Sequence, residues 1–213
     1  MSTTAPAETT TAPSWRQFPF FDVVPVKDAH DFAESPHMFR NANEISTIAP
    51  SAFGVIVADI HGSVHVLDKE FEPVSSWVAH VGGRVTHMVE RRGILITLGE
   101  EDAVRHPLLK MWTLEKTDKN GFPLLIRSLK IQHSNRPHPV TAVAVSAALS
   151  YMAVGLGDGT VLLYRHIDQS IFSGSSSLTA LPKPRAIHES PAEPITGLGF
   201  KESTEDSPNL HLF

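Results

Sequence analysis

The sequence predicts an all-β fold, a WD-like β-propeller that is incomplete, with about three and a half blades of a seven-bladed ring. Three observations predict it. The dipeptide Val85-Thr86 recurs 55 residues on as Val140-Thr141, and after the same interval again as Ile195-Thr196. Each copy opens an apolar run, and a fixed period of roughly 40 to 55 residues filled with short strands is how propeller blades look in sequence. Two hairpins, at 54–67 and 151–164, then superimpose residue for residue, with Gly62 and Gly159 closing equivalent turns. Finally, a seven-bladed ring needs roughly 300 residues. The chain has 213.

The elements follow in order. Residues 1–14, MSTTAPAETTTAPS, hold no Lys or Arg and no apolar core. They cannot offset the entropy of ordering, so a disordered tail is expected, and they do not form a secretory or mitochondrial signal. From Trp15 to Phe21 the chain carries four aromatics, the density of a buried edge or an interface, with Pro19 arguing against a central strand. Residues 25–44 are polar and irregular, broken by Pro25 and Pro36. Gly54 to Ala58 is a continuous apolar run, a strand covered on both faces. Asp59-Ile60-His61-Gly62 is a turn, with Asp59 bonding its own backbone and Gly62 taking the conformation other residues resist. Ser63 to Leu67 alternates and returns as the hairpin's second strand.

The middle repeat predicts strands at 85–89, 94–99 and 108–114, with Arg91-Arg92-Gly93 as a turn and Glu100 to Pro107 as a longer, charged loop. Such loops project from one face of a propeller, often the binding face. The third repeat returns through Thr160 to Tyr164. Residues 165–194 hold Ser173 to Ser177 and four prolines (182, 184, 191 and 194), and read as a flexible Ser/Pro-rich insertion between blades. A further blade is expected to begin with a strand at Ile195 to Phe200 and to break off near Phe213. The organisation is therefore a tail at 1–14 and a partial propeller at 15–213. An isolated partial ring exposes two blade faces, so poor solubility or self-association is expected of it.

Composition narrows the function. A formal charge of −5, from 18 basic and 23 acidic residues, argues against nucleic acid as a partner. Without a cysteine, these residues supply no disulfide and no thiolate zinc site. No stretch approaches the ~20 apolar residues of a membrane-spanning helix, so membrane association is expected only through partners. Gly155-Leu156-Gly157-Asp158-Gly159 has the look of a phosphate loop but lacks the Lys-Ser/Thr pair and a following helical pattern; it reads as a hairpin turn. His61 with His65, and His80 with His87, are candidate metal ligands. On a turn and a strand, His61 and His65 diverge, and no carboxylate accompanies them at ligand spacing. Glu100-Glu101-Asp102 reads as a solvated acidic face that would meet a basic patch on a partner. Trp112 reads as blade core rather than a stacking platform. No serine has a nucleophile-elbow setting. Catalytic, cofactor and metal residues are therefore all expected to be absent.

Several segments in order resemble one family, the vacuolar protein sorting-associated protein 11 family of core subunits of the HOPS and CORVET tethering complexes. They are the opening Trp15-Arg16-x-Phe18-x-Phe20-Phe21-Asp22, then Arg84-Val85-Thr86-His87, Leu98 to Asp102, and Pro107-Leu108-x-Lys110-x-Trp112-x-Leu114-Glu115-Lys116. Met152 to Gly155 with Asp158-Gly159-x-Val161, and Ile195-Thr196-Gly197-Leu198-x-Phe200, follow. The resemblance covers Trp15 to Phe213 and is poor over 165–194. It implies an N-terminal propeller that precedes a helical solenoid and a RING zinc domain, neither of them in these residues. It further implies a non-catalytic scaffold in endosome and vacuole fusion and in protein transport to the vacuole. Its partners would be other tethering subunits, on the cytosolic face of late endosome or vacuole membranes. The alternative is a WD-like scaffold of another complex, such as a coat subunit or a substrate receptor. A propeller hydrolase would need carboxylates or an activated nucleophile converging on the central channel, which the residues do not suggest.

Overall fold

The computed structural model describes residues 24–28, 30–36, 44–173, 177–189, 193–202 and 210–213. The expected tail and the aromatic opening at 15–22 lie outside the described residues. The rest forms three four-stranded antiparallel sheets and a two-stranded piece of a fourth. The first sheet runs β1 (Ile45–Ser51), β2 (Gly54–Asp59), β3 (Ser63–Leu67) and β4 (Pro73–Val78), each strand pairing with the next. The second is β5 (Arg84–Arg91), β6 (Ile94–Glu101), β7 (Val104–Thr117) and β8 (Pro123–Lys130). The third is β9 (Val140–Val145), β10 (Tyr151–Leu156), β11 (Thr160–Arg165) and β12 (Arg185–Glu189), with a short helix α1 (Ile167–Phe172) before its last strand. Finally β13 (Phe200–Lys201) pairs with β14 (His211–Leu212). Strand β1 packs against β5, and β5 against β9, so the first strand of each blade lies on the inner side.

The core sits in the two seams between blades. Ile56, Ala58, Val64 and Trp77 of the first blade meet Val85, Met88, Leu95 and Trp112 of the second. Ile96, Leu98, Leu109 and Met111 meet Met152, Val154, Leu162 and Tyr164 of the third. Strict alternation along β6 makes this possible, because Leu95 and Ile96 point to opposite seams and both are fully buried.

The recurring dipeptide has a local cause. In each inner strand the pairing skips one residue, a β-bulge: Ser46 between Ile45 and Thr47, Thr86 between Val85 and His87, Thr141 between Val140 and Ala142. At two of the three bulges the hydroxyl serves a carbonyl of the neighbouring strand. Ser46 Oγ donates to Asp59 O at 3.1 Å, and Thr86 Oγ1 to Leu98 O at 3.2 Å. Ile45-Ser46 is thus a further copy of the motif, with Ser in place of Thr.

Both predicted hairpins form, with Ala58 opposite Val64 and Gly155 opposite Val161 at equivalent places. Gly62 and Gly159 have φ of 80° and 84°, the left-handed region where a side chain is costly. Asp59 opens its turn as expected, its Oδ1 accepting the N–H groups of His61 and Ser63 at 2.9 and 2.8 Å. A second repeated turn went unread in the sequence: Asp68 before β4 and Asp118 before β8. Asp68 Oδ1 accepts from Glu70 N and Glu72 N, and Asp118 Oδ1 from Asn120 N and Phe122 N.

Three expectations are corrected. Glu100 to Pro107 is no long loop: β6 continues to Glu101, β7 starts at Val104, and these two residues pair across a tight turn. The hairpin's end reaches into solvent, so its outer positions tolerate charge while the backbone ladder persists. Residues 165–194 are not without structure, since they hold α1 and the blade's fourth strand, β12. Around α1 they form a strap over the outer strand of the second blade. There Ser128 N donates to Leu178 O at 2.7 Å, and buried Arg127 donates to Ser170 O. Ile171 and Leu181 of the strap pack against the second seam. Last, Ile195 to Leu198 is not a strand. Its chain docks on β10 instead, with Ile195 N donating to Leu156 O at 3.4 Å and Ile195 lying over Gly155. A Cβ at Gly155 would stand 2.5 Å from Ile195 Cγ2, so only glycine admits this contact.

Candidate functional site

Turns at one end of the first two blades, with the connections that follow each of them, enclose an open cleft of about 710 Å³. Its walls come from the β2–β3 turn at Ile60 and His61, the β4–β5 connection at Gly82 to Arg84, and the β6–β7 hairpin from Glu100 to Pro107. The β8–β9 connection adds Pro137, His138 and Pro139. Close packing of the turns demands small residues at this point. A Cβ on Gly83 would lie 1.7 Å from Glu100 O.

Behind the cleft, one buried network joins the turn to the first seam. The indole N–H of Trp112 donates to Thr97 Oγ1 at 3.2 Å, and Thr97 Oγ1 is 3.0 Å from His80 Nε2. Which of these two atoms donates follows the imidazole tautomer, and the other ring nitrogen, Nδ1, is buried as well. That nitrogen faces Glu101 Oε1 at 3.7 Å. Glu101 in turn receives Lys110 Nζ at 2.6 Å, and Lys110 also donates to Ala79 O at 2.8 Å. Burial, reinforced by the charge of Lys110 and opposed by Glu101, lowers the His80 pKa from 6.5 to about 4. The imidazole is therefore neutral at physiological pH and serves as a structural spacer.

The rim is more exposed. Arg84 Nε lies 3.2 Å from Glu100 Oε2, and His138 Nε2 lies 3.3 Å from Asp158 Oδ2. Burial raises the Asp158 pKa, but hydrogen bonds from Thr160 and the nearby His138 outweigh it and leave the carboxyl below its usual range. Asp102 and Arg105 stand exposed on opposite arms of the hairpin. Most charge at the cleft is thus paired, and the arrangement offers hydrogen-bonding groups of both signs on a rigid frame.

The residues weighed from sequence separate cleanly. His61, Glu100, Glu101 and Asp102 do come together in the cleft. His65 does not: its Nδ1 is 2.9 Å from Ser76 Oγ. His80 is buried in the network, and His87 Nδ1 lies 3.1 Å from Thr86 Oγ1. Burial lowers the His87 pKa, against a raising bond to the Thr141 backbone. Gly155 to Gly159 forms the β10–β11 hairpin turn, with Gly159 N donating to Leu156 O at 3.1 Å. Trp112 is core, edge-on to Trp77 with ring centroids 5.7 Å apart. Sequence reasoning missed His138, Pro137 and Pro139 in the cleft. Their signal was position, since they precede Val140-Thr141 as Gly82 to Arg84 precede Val85-Thr86. Among the described residues, one group brings metal-type ligand atoms within 4.8 Å of one another: Asp28, His30 and Glu72, which do not line the cleft. No helix among the described residues is long and apolar enough to cross a membrane.

Comparison with known proteins supplies the family. A profile described as PEP5/VPS11 N-terminal matches residues 15–213. The vacuolar protein sorting-associated protein 11 homologue of Dictyostelium discoideum is 30% identical over 188 residues, 88% of this chain and 18% of that protein. The Homo sapiens homologue is 28% identical over 213 residues, 93% of this chain and 21% of that protein. The chain thus spans about a fifth of the length of these relatives. Among solved structures, the β-propeller domain of Cps50 (Swd1) from Myceliophteria thermophila superimposes with a TM-score of 0.52 at 13% identity, covering 79% of this chain and 53% of that one. The computationally designed Ika4 protein gives 0.52 at 18%, covering 81% and 92%. Those likenesses concern the fold; the profile spans the blades, the seams and the cleft, and on that ground the chain belongs to the PEP5/VPS11 N-terminal family.

Proposed function

We propose that the chain is a non-catalytic interaction scaffold, the amino-terminal part of a vesicle-tethering subunit of HOPS and CORVET type. In that role it acts in endosome and vacuole fusion and in protein transport to the vacuole, peripheral on the cytosolic face of those membranes. One observation carries the binding role: turns of the first two blades and the connections that follow each of them converge on an open cleft whose charges are mostly paired across rigid strands. Such a surface presents fixed donors and acceptors at little entropic cost on binding. Family membership supports the tethering context.

The test is co-purification of the intact protein with the other tethering subunits, with and without Asp102→Lys and Arg105→Glu. Both side chains are exposed, so the fold should survive. The reading expects the wild type to bring down those subunits and the double variant to lose at least one of them. Recovery of no tethering subunit with the wild type would overturn the tethering context. An unchanged partner set in the double variant would overturn the role of the cleft.

A further inference from the structure

The three described blades end in three outer strands, and among the described residues only one of those edges is left unguarded. An outer strand presents a row of unpaired backbone N–H and C=O groups, which proteins blunt by cover, charge or proline. Strand β8 is covered by the strap, through Ser128 N to Leu178 O and Arg127 to Ser170 O. Strand β12 carries Arg185, His188 and Glu189, all exposed. Strand β4 reads Pro73-Val74-Ser75-Ser76-Trp77-Val78 and carries no charge. Its proline stands at the first position, where it removes only the first amide. Val74 and Val78 are 67% and 53% exposed, and no strand among the described residues pairs with the outer side of β4.

Beside this edge lies a groove of about 600 Å³ between the first two blades. Trp77, Val78, Phe122, Leu124 and Leu125 contribute apolar walls, with Asp118 among the polar ones. The turn feeding β4, Asp68 to Glu72, holds three carboxylates against the single Lys69. We infer that β4 is a docking edge for an extended segment of a partner protein. The segment adds as a fifth strand, lays alternate apolar side chains toward the groove, and sets a basic residue against Glu70 and Glu72. Main-chain hydrogen bonds along the edge supply affinity, and the groove and the acidic turn supply selection. This surface is separate from the cleft.

The probe is a fluorescein-labelled synthetic peptide of alternating valine and threonine with a lysine at each end, titrated into the intact protein. Saturable anisotropy is expected, with slowed amide exchange confined to residues 74–78. Val78→Lys, or Val74→Lys should the first variant misfold, is expected to weaken binding at least about tenfold, because charge on an edge opposes strand addition. Glu70→Lys with Glu72→Lys should weaken it several-fold. Asp102→Lys should leave it unchanged, so failure here and failure of the cleft reading are distinguishable. Absence of saturation, equal binding by the Val78→Lys and Val74→Lys variants, or exchange protection elsewhere would overturn the inference. So would a dimer of the protein that Val78→Lys converts to monomer, since the edge would then take a second copy.

Discussion

Thr97 shows how much one side chain decides in this fold. Its hydroxyl oxygen is the hydrogen-bond partner of both the Trp112 indole and His80 Nε2, and all three residues are buried. Thr97→Val keeps the volume but leaves two buried polar groups unpaired, so stability should fall by about 2 to 4 kcal/mol. A urea denaturation series measures this directly. His80 gives the same network a pH dependence. Unfolded, its imidazole takes a proton near pH 6.5; folded, only near pH 4. Between those values the unfolded chain binds more protons, so acid favours unfolding and nothing is lost above about pH 6.5. The loss toward pH 4 is about 3 kcal/mol. His80→Asn, which keeps a partner for Thr97, should flatten that part of the profile relative to wild type. None of this was visible as chemistry in the sequence, where His80 and Trp112 are 32 positions apart. The visible trace was the Val85-Thr86 echo, and its bulge explains why the copy at Ile45-Ser46 was missed: serine at the skipped position bonds a neighbouring carbonyl as the threonine at 86 does.

Elements were legible where periodicity and turn chemistry agreed. The hairpins around Gly62 and Gly159 were readable because a left-handed turn residue flanked by apolar runs permits few alternatives. The hairpin from Ile94 to Thr117 was only half readable. Its outer end is polar on account of solvent, and solvent-facing strand ends are indistinguishable from loops by composition. That misread end is also where the cleft lies, so the stretch of the blade that lines it was the least strand-like in sequence. The strap at 167–173 and 177–181 was hidden for a different reason. It takes its structure from tertiary bonds to β8, which no local pattern encodes. Arg127 is the test of that claim, being 2% exposed and donating to Ile126 O and Ser170 O. Arg127→Met preserves most of the apolar stem while removing these donors. Stability should drop by about 2 kcal/mol, the scale of charge-assisted hydrogen bonds. Amide exchange should rise at Ser128 and through 167–173 and 177–181 more than in the first blade, which mass spectrometry resolves by segment.

At the scale of the molecule, the buried apolar residues of the described blades fall into two seams between neighbouring blades rather than one central core. The two seams are unequal. The first includes three alanines, Ala49, Ala58 and Ala79, whereas the second is built from Ile, Leu, Val, Met and Tyr side chains with the strap packed against it. The first blade should therefore exchange its amides faster than the other two. Strand β6 allows a sharper experiment, because its adjacent residues Leu95 and Ile96 are both 0% exposed and serve different seams. Leu95→Ala opens a cavity against the first blade, and Ile96→Ala opens one against the third. Each should cost about 2 to 5 kcal/mol in overall unfolding. If blades are coupled only through seams, Leu95→Ala will accelerate exchange chiefly in residues 45–78, and Ile96→Ala chiefly in residues 140–165. Identical exchange maps for the two variants would mean that the described blades unfold as one cooperative unit. The β4 edge would then be no more labile than the rest of the scaffold that carries it.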